Sequence, residues 1–266
     1  MARVSFGLST AHLAHASVSG AIEACAALKL DAVEFFTHAY SVAECREIRT
    51  RAADAGLGVE YHAPWDGPYD FGLAEPHTAF VHLEQAIARA HLMGARHLIC
   101  HLGRYDLEKR EGRKEAIDRV VAAVERLVPA LEEAGVVLCF EDNTLCHDPN
   151  PLGDQPRDFA LLFEAIGSPN VGMALDTGHA HVSGCTHPYL EAFGRRIHYV
   201  HLDDNDGIGD LHLPPSSGTI DWPTLFEQLA FYGVEGSFGI EFNEQYVADE
   251  LPALRELAAR HTWRTR

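Results

Sequence analysis

Histidine and carboxylate side chains recur through this sequence at one kind of place, the ends of short apolar runs. In chain order they are His62, His101, Glu141, Asp176 with His179, His201, Asp210 with His212, and Glu241. Imidazole and carboxylate are the ligand set of zinc, manganese and related divalent cations. Singly, each residue has an ordinary structural use. Asp176 in "LDTGHA" suits the cap of a following helix, and a lone His62 or His101 can be satisfied by backbone groups. Glu141 and Glu241 close apolar runs, where an unpaired carboxylate is costly, yet no Lys or Arg lies near either in sequence. Taken together at matching positions, the residues point to cation binding.

The stretch "DNDGIGDLHLPPSSGTIDW", residues 204–222, sharpens the case. It is acidic, lacks Lys and Arg, and places Asp210 and His212 two residues apart. In extended chain such a pair faces one way. Asp203, Asp204 and Asp206 crowd the same loop, and like charges at this density favour a spread, solvated segment unless a cation offsets them.

The elements that must hold these side chains are eight apolar runs: 4–9, 32–36, 58–63, 97–103, 136–141, 171–176, 197–203 and 237–242. Short and rich in β-branched and aromatic residues, they suit strands buried on both faces. Amphipathic stretches such as "EPHTAFVHLEQAIARAHLMGA" and "GRKEAIDRVVAAVERLVPALEEAG" separate them and close on glycine, as helices do. Eight β/α units predict a (β/α)8 TIM barrel, an α/β fold in a single domain over 1–266, with chemistry at the C-terminal strand ends. A doubly wound sheet would usually carry a Gly-rich fingerprint after an early strand, and none is present.

The chain has 266 residues, 47% of them hydrophobic, with 21 Lys+Arg against 39 Asp+Glu for a formal charge of -18. That surface repels nucleic acid and anionic membranes, and no apolar run is long enough to span a bilayer. The segment "MARVSFGLS" reads as a strand rather than a signal peptide. Six scattered cysteines without a CxxC pair predict reduced thiols and a cytoplasmic location.

The segments "EYHAPW", "LICHLG", "CFEDNT", "ALDTGHAH", "YVHLDDNDG", "DLHLPP" and "GIEF" together resemble the xylose isomerase-like TIM barrels, in the order that family keeps and over nearly the whole chain. The resemblance implies a metalloenzyme of one of two kinds. Sugar isomerases and epimerases hold one divalent metal with a quartet matching Glu141, Asp176, His201 and Glu241. Endonuclease IV-type enzymes hold three zinc ions. The same likeness would place one metal on His62, His101 and Glu141, a second on the quartet, and a third on His179, Asp210 and His212. One to three divalent ions per chain, zinc, manganese or related, are therefore implied. Two departures stand out: "PSSG" (215–218) replaces the Gly-Glu-Gly common after the Asp-x-His element. "LDDNDGIG" also lacks the Arg that ketose 3-epimerases commonly carry there.

The presumed top-face segments 63–80, 142–155, 177–190 and 203–221 contain no Lys or Arg, whereas a DNA enzyme needs several cationic backbone contacts. The sequence therefore predicts a metal-dependent isomerase or epimerase of a sugar or related polyol, working through a metal-stabilised enediolate. Glu141 and Glu241 are the expected acid and base. Trp65, His179 and Arg104 (the cation nearest a ligand) are expected to touch the carbohydrate, with Tyr69 and Phe242 as further aromatic candidates. His38, His147, His181 and His187 are weaker candidates from top-face loops. The alternative is an endonuclease IV-like phosphodiester hydrolase using clustered metals. A barrel that binds metal without turnover is the third reading.

Overall fold

The computed structural model describes residues 4–13, 17–108, 112–146 and 149–264. Eight parallel strands close into a barrel in sequence order. They are β1 (Ser5–Ser9), β2 (Ala32–Phe36), β3 (Gly58–His62), β4 (His97–His101), β5 (Val137–Glu141), β6 (Val171–Asp176), β7 (Ile197–Leu202) and β8 (Ser237–Ile240). Closure is made by β8 pairing with β1, with Phe6 opposite Phe238 and Leu8 opposite Ile240. The expected (β/α)8 TIM barrel is therefore the fold. Several strands are shorter than their apolar runs. β4 stops at His101 and β8 at Ile240, so Glu241 is the first residue beyond its strand.

Helices α1 (Val18–Ala27), α2 (Val42–Ala55), α3 (Pro76–Met93), α4 (Arg113–Ala134), α5 (Pro156–Ala165), α6 (Thr177–Val182), α7 (Thr186–Phe193) and α8 (Trp222–Phe231) return the chain between strands, and α9 (Val247–Ala259) follows β8. Their ends follow local chemistry. Ser41 and Glu44 form a reciprocal capping box at the start of α2. Gly94 and Gly135 close α3 and α4 in the left-handed conformation that glycine adopts without strain. None of the helices among the described residues is long and apolar enough to cross a membrane.

Inside the barrel, Ile99, Val137, Cys139, Ala174 and Tyr199 pack as a layer beneath the top face. Tyr199 fits only because β8 has Gly239 beside it; a Cβ there would lie 2.2 Å from the phenol oxygen. The register of β6 on β7 shifts between Met173 and Ala174, which lets His198 in as an extra residue. Toward the N-terminal end the interior is polar. His97 Nδ1 sits 3.1 Å from Glu60 Oε2, and His198 Nδ1 sits 2.7 Å from Glu235 Oε2, with Arg96 also on Glu235. This polar floor seals the barrel, and the ligand-competent side chains gather at the other end.

Candidate metal centre

The nine metal-competent residues converge into three groups: His62, His101 and Glu141; Glu141, Asp176, His201 and Glu241; and His179, Asp210 and His212. Within each group the candidate ligand atoms lie no more than 4.8 Å apart. Strand pleating explains this. Alternate residues of a strand face the interior. His101 stands opposite Glu141 and Asp176 opposite His201, while His62 is opposite Ile99 and Glu141 opposite Ala174, steps of two that keep all five on the inner face near the rim.

Glu141 joins two of the groups. Its Oε2 lies 2.9 Å from His62 Nε2 and 3.0 Å from His101 Nε2, while its Oε1 lies 2.6 Å from His201 Nδ1. That same nitrogen is 3.1 Å from Glu241 Oε2 and 4.0 Å from Asp176 Oδ2. Three carboxylates thus converge on one imidazole nitrogen, which can satisfy only one with a proton. Asp176 divides its work: Oδ1 caps α6 by accepting from the His179 amide at 2.7 Å. Its Oδ2 is fully buried and accepts no hydrogen bond. A buried carboxylate oxygen without a donor is costly, and a cation removes that cost.

Three of the histidines are turned the way metal ligands are turned. His62 Nδ1 is 2.7 Å from the Ala63 carbonyl, His179 Nδ1 is 2.9 Å from the Asp142 carbonyl, and His212 Nδ1 is 2.9 Å from the Glu241 carbonyl. Donation of each Nδ1–H to a main-chain oxygen leaves Nε2 as the inward lone pair. His179 and His212 then face Asp210, at 3.3 and 3.4 Å.

The electrostatics show a site short of positive charge. Burial opposes charging His201, yet Glu241, Glu34 and Glu141 hold its pKa well above the usual imidazole value. His179 behaves alike against Asp176 and Asp210. His212, also opposed by burial, is raised to about 10 by Asp210 and Asp203. Burial pushes Glu241 up to about 7, with His201 pulling down and Glu141 pushing up. Burial works the same way on Glu141, but His201 and His101 outweigh it and hold it well below the carboxylate range. Clustered imidazole and carboxylate donors with an unpartnered buried Asp176 oxygen among them fit a divalent cation.

The loop 204–222 is not the spread, solvated segment its charges predict. Asp203, Asp204 and Asn205 are fully buried. Asp204 Oδ1 accepts from the amides of Thr219 at 3.0 Å and Ile220 at 3.1 Å, and its Oδ2 accepts from the Trp222 indole at 2.8 Å. Asp206 accepts from the amides of Ile208 and Gly209. A two-way backbone bridge between Asp204 and Leu213 completes the turn. Hydrogen bonds hold Asp204 and Asp206, whereas the buried Asp203 Oδ2 accepts none.

Phe36, His62, Trp65, His101, Glu141, His179, Asp210, His212 and Glu241 line the recess over the centre. Trp65 stacks on His101 at 5.7 Å between ring centroids, and Phe36 lies 5.5 Å from Trp65. Phe36 escaped the sequence reading because it looks like any aromatic at a strand end. Arg104 lines a different surface recess, beside Leu73 and Tyr105, and its Nε is 2.7 Å from Asp70 Oδ2. The Tyr69 hydroxyl accepts from Arg89, and Phe242 is wholly within the core. His38 is exposed, His181 bonds Thr219, and His187 packs on Tyr232. His147 lies outside the described residues. Glu34, unmarked in the sequence reading, is fully buried against His201 at 2.8 Å.

Comparison with known proteins adds a family. The model of the xylose isomerase-like TIM barrel matches residues 22–260. An uncharacterized protein of Methanocaldococcus jannaschii is 33% identical over 93 residues, 34% of this chain and 32% of that protein. A human protein named a putative hydroxypyruvate isomerase is 26% identical over 176 residues, 60% of this chain and 58% of that one. The chain thus spans less than two thirds of the length of these curated relatives. The crystal structure of a D-tagatose 3-epimerase-like protein superposes with a TM-score of 0.82 at 21% identity, covering 96% of this chain and 97% of that one. At that identity the likeness is one of fold.

Proposed function

We propose that this chain, which belongs to the xylose isomerase-like TIM barrel family, is a divalent-metal-dependent isomerase or epimerase of a sugar or related polyol. The observation that carries the reading is the pair Glu141 and Glu241, both on His201 Nδ1 at 2.6 and 3.1 Å and pushed in opposite directions by their surroundings. Two neighbouring carboxylates set apart in this way suit acid–base work. The names of the relatives, a putative hydroxypyruvate isomerase and a D-tagatose 3-epimerase-like protein, agree with it.

A cation held by Glu141, Asp176, His201 and Glu241 would supply Lewis acidity to two adjacent substrate oxygens. The chain's own part is proton transfer and orientation. Glu141, held ionised by His201 and His101, takes the proton from the carbon next to the carbonyl, and the electron pair left behind delocalises into the carbonyl as an enediolate. Return of that proton to the former carbonyl carbon, with the hydroxyl proton passing between the two adjacent oxygens, gives the isomer. Delivery from Glu241, which burial keeps protonated to higher pH, to the opposite face of the carbon that lost its proton gives the epimer. Trp65 and Phe36 present apolar faces to the sugar and exclude water from the recess. His179 lies within reach of substrate, and Arg104, tied to Asp70, would reach it only by leaving that pair. Further cations on the two outer groups would bring the total to as many as three.

Phosphodiester hydrolysis is the second reading. It is favoured by Glu141, whose two oxygens serve two adjacent groups as a bridging ligand does. Against it, no Lys or Arg lines the recess among the described residues, where backbone recognition would need several. A screen of unphosphorylated ketoses, polyols and abasic DNA separates the two. Uptake of solvent deuterium at the carbon beside the carbonyl of a ketose supports the isomerase. Strand cleavage of abasic DNA without any such exchange overturns it.

A further inference from the structure

Four of the histidines at the rim are held in two different ways. His62, His179 and His212 each hand their remote N–H to a main-chain carbonyl and turn Nε2 inward. His201 is reversed: Nδ1 faces the carboxylates, and Nε2 lies 2.8 Å from Glu34 Oε2. Both residues are fully buried. Glu34 comes from β2, a strand that contributes none of the nine converging residues, and its Oε1 accepts no hydrogen bond. As a device for stability alone this is a poor arrangement, since a buried charged pair is often no better than apolar residues of similar size. A carboxylate acceptor does something a carbonyl does less well. It fixes the ring firmly through a charge-assisted bond, and it makes the opposite nitrogen a stronger donor to a metal.

We infer that Glu34 is the positioning residue that makes the set Glu141, Asp176, His201 and Glu241 the tightest of the three cation sites. The inference rests on the proposed function, in which that set holds the working metal. Glu34 touches neither metal nor substrate and acts only through His201.

The test is metal titration of stripped wild-type protein and Glu34→Gln against a competing chelator, with Mn²⁺ and Co²⁺ as probes. The same titration in an Asp210→Ala/His212→Ala background assigns the affected site. Glu34→Gln is expected to weaken one site by about 10- to 100-fold and leave the others unchanged. The Co²⁺ absorption of that site should shift, while the melting temperature of the metal-free protein stays level or rises. Should the Gln variant not fold, Glu34→Asp, which keeps the charge but withdraws it, is expected to weaken the same site. Affinities equal to wild type within about twofold would overturn the inference, because carboxylate support of a ligand histidine should cost more. So would uniform weakening of all sites with a lower metal-free melting temperature. A wild-type protein with no metal at the set would overturn the function itself, and the two failures are distinguished in wild type alone.

Discussion

Asp204→Ala should cripple the loop that carries two of the ligands, although Asp204 is no ligand itself. The side chain is fully buried and gathers donors from 15 to 18 residues further along the chain: the Thr219 and Ile220 amides and the Trp222 indole. The Thr219 amide has a second acceptor in the Asn205 carbonyl, so its loss is small. The Trp222 indole, in a side chain only 6% exposed, would be left without an acceptor. A buried orphan donor costs about 1–3 kcal/mol. Adding the half-buried Ile220 amide brings the total to roughly 3 kcal/mol. For a chain of this size that lowers the melting temperature by roughly 6–12 °C. Thermal melts should show that loss, limited proteolysis should cut within 204–219, and metal at His179, Asp210 and His212 should weaken. Asp204→Asn, which keeps one oxygen for the amides, should recover part of the stability. An Ala variant within about 0.5 kcal/mol of wild type, an effect ordinary for an uninvolved surface site, would refute the reasoning.

Glu241→Gln should fold normally yet lose far more than tenfold of turnover, about 1.4 kcal/mol of transition-state stabilisation per factor of ten; steady-state assays check this. Asp210→Ala/His212→Ala should remove one metal equivalent by elemental analysis while leaving protease resistance of 204–219 unchanged, since Asp204 and Asp206 hold the loop. At the barrel floor, burial would raise Glu235, but His198 and Arg96 outweigh it and lower its pKa. Its stabilising contribution is therefore full above the unfolded value of about 4.3 and is lost as pH falls through the lower folded value. Denaturant melts from neutral to strongly acid pH should show that part of the acid loss flattened in Glu235→Gln.

Much of the fold could be read because a parallel barrel buries its strands on both faces, which leaves uninterrupted apolar runs such as "VVLCFE" and "IHYVHLD". The converging residues could be read because each breaks its run, or follows it, with a group that needs a partner. Glu34 could not. It sits two residues short of the end of β2, and its partner His201 is 167 residues away. The floor pairs His97 with Glu60 and His198 with Glu235 were hidden in the same way, by closure of the barrel. The loop 204–222 misled for a related reason. Local charge density was plain, but the donors that neutralise it belong to a turn whose closure depends on residues far along the segment.

The central claim is that Glu141, Asp176, His201 and Glu241 hold a working divalent cation. The direct measurement is the metal content of protein purified without chelators, followed by titration of the stripped protein with Mn²⁺, Co²⁺ and Zn²⁺. At least one tightly bound equivalent is predicted, and it should disappear when Asp176 and Glu241 are both replaced by Ala. Less than about a tenth of an equivalent, with no uptake on titration where a preformed site should bind tightly, would contradict the account.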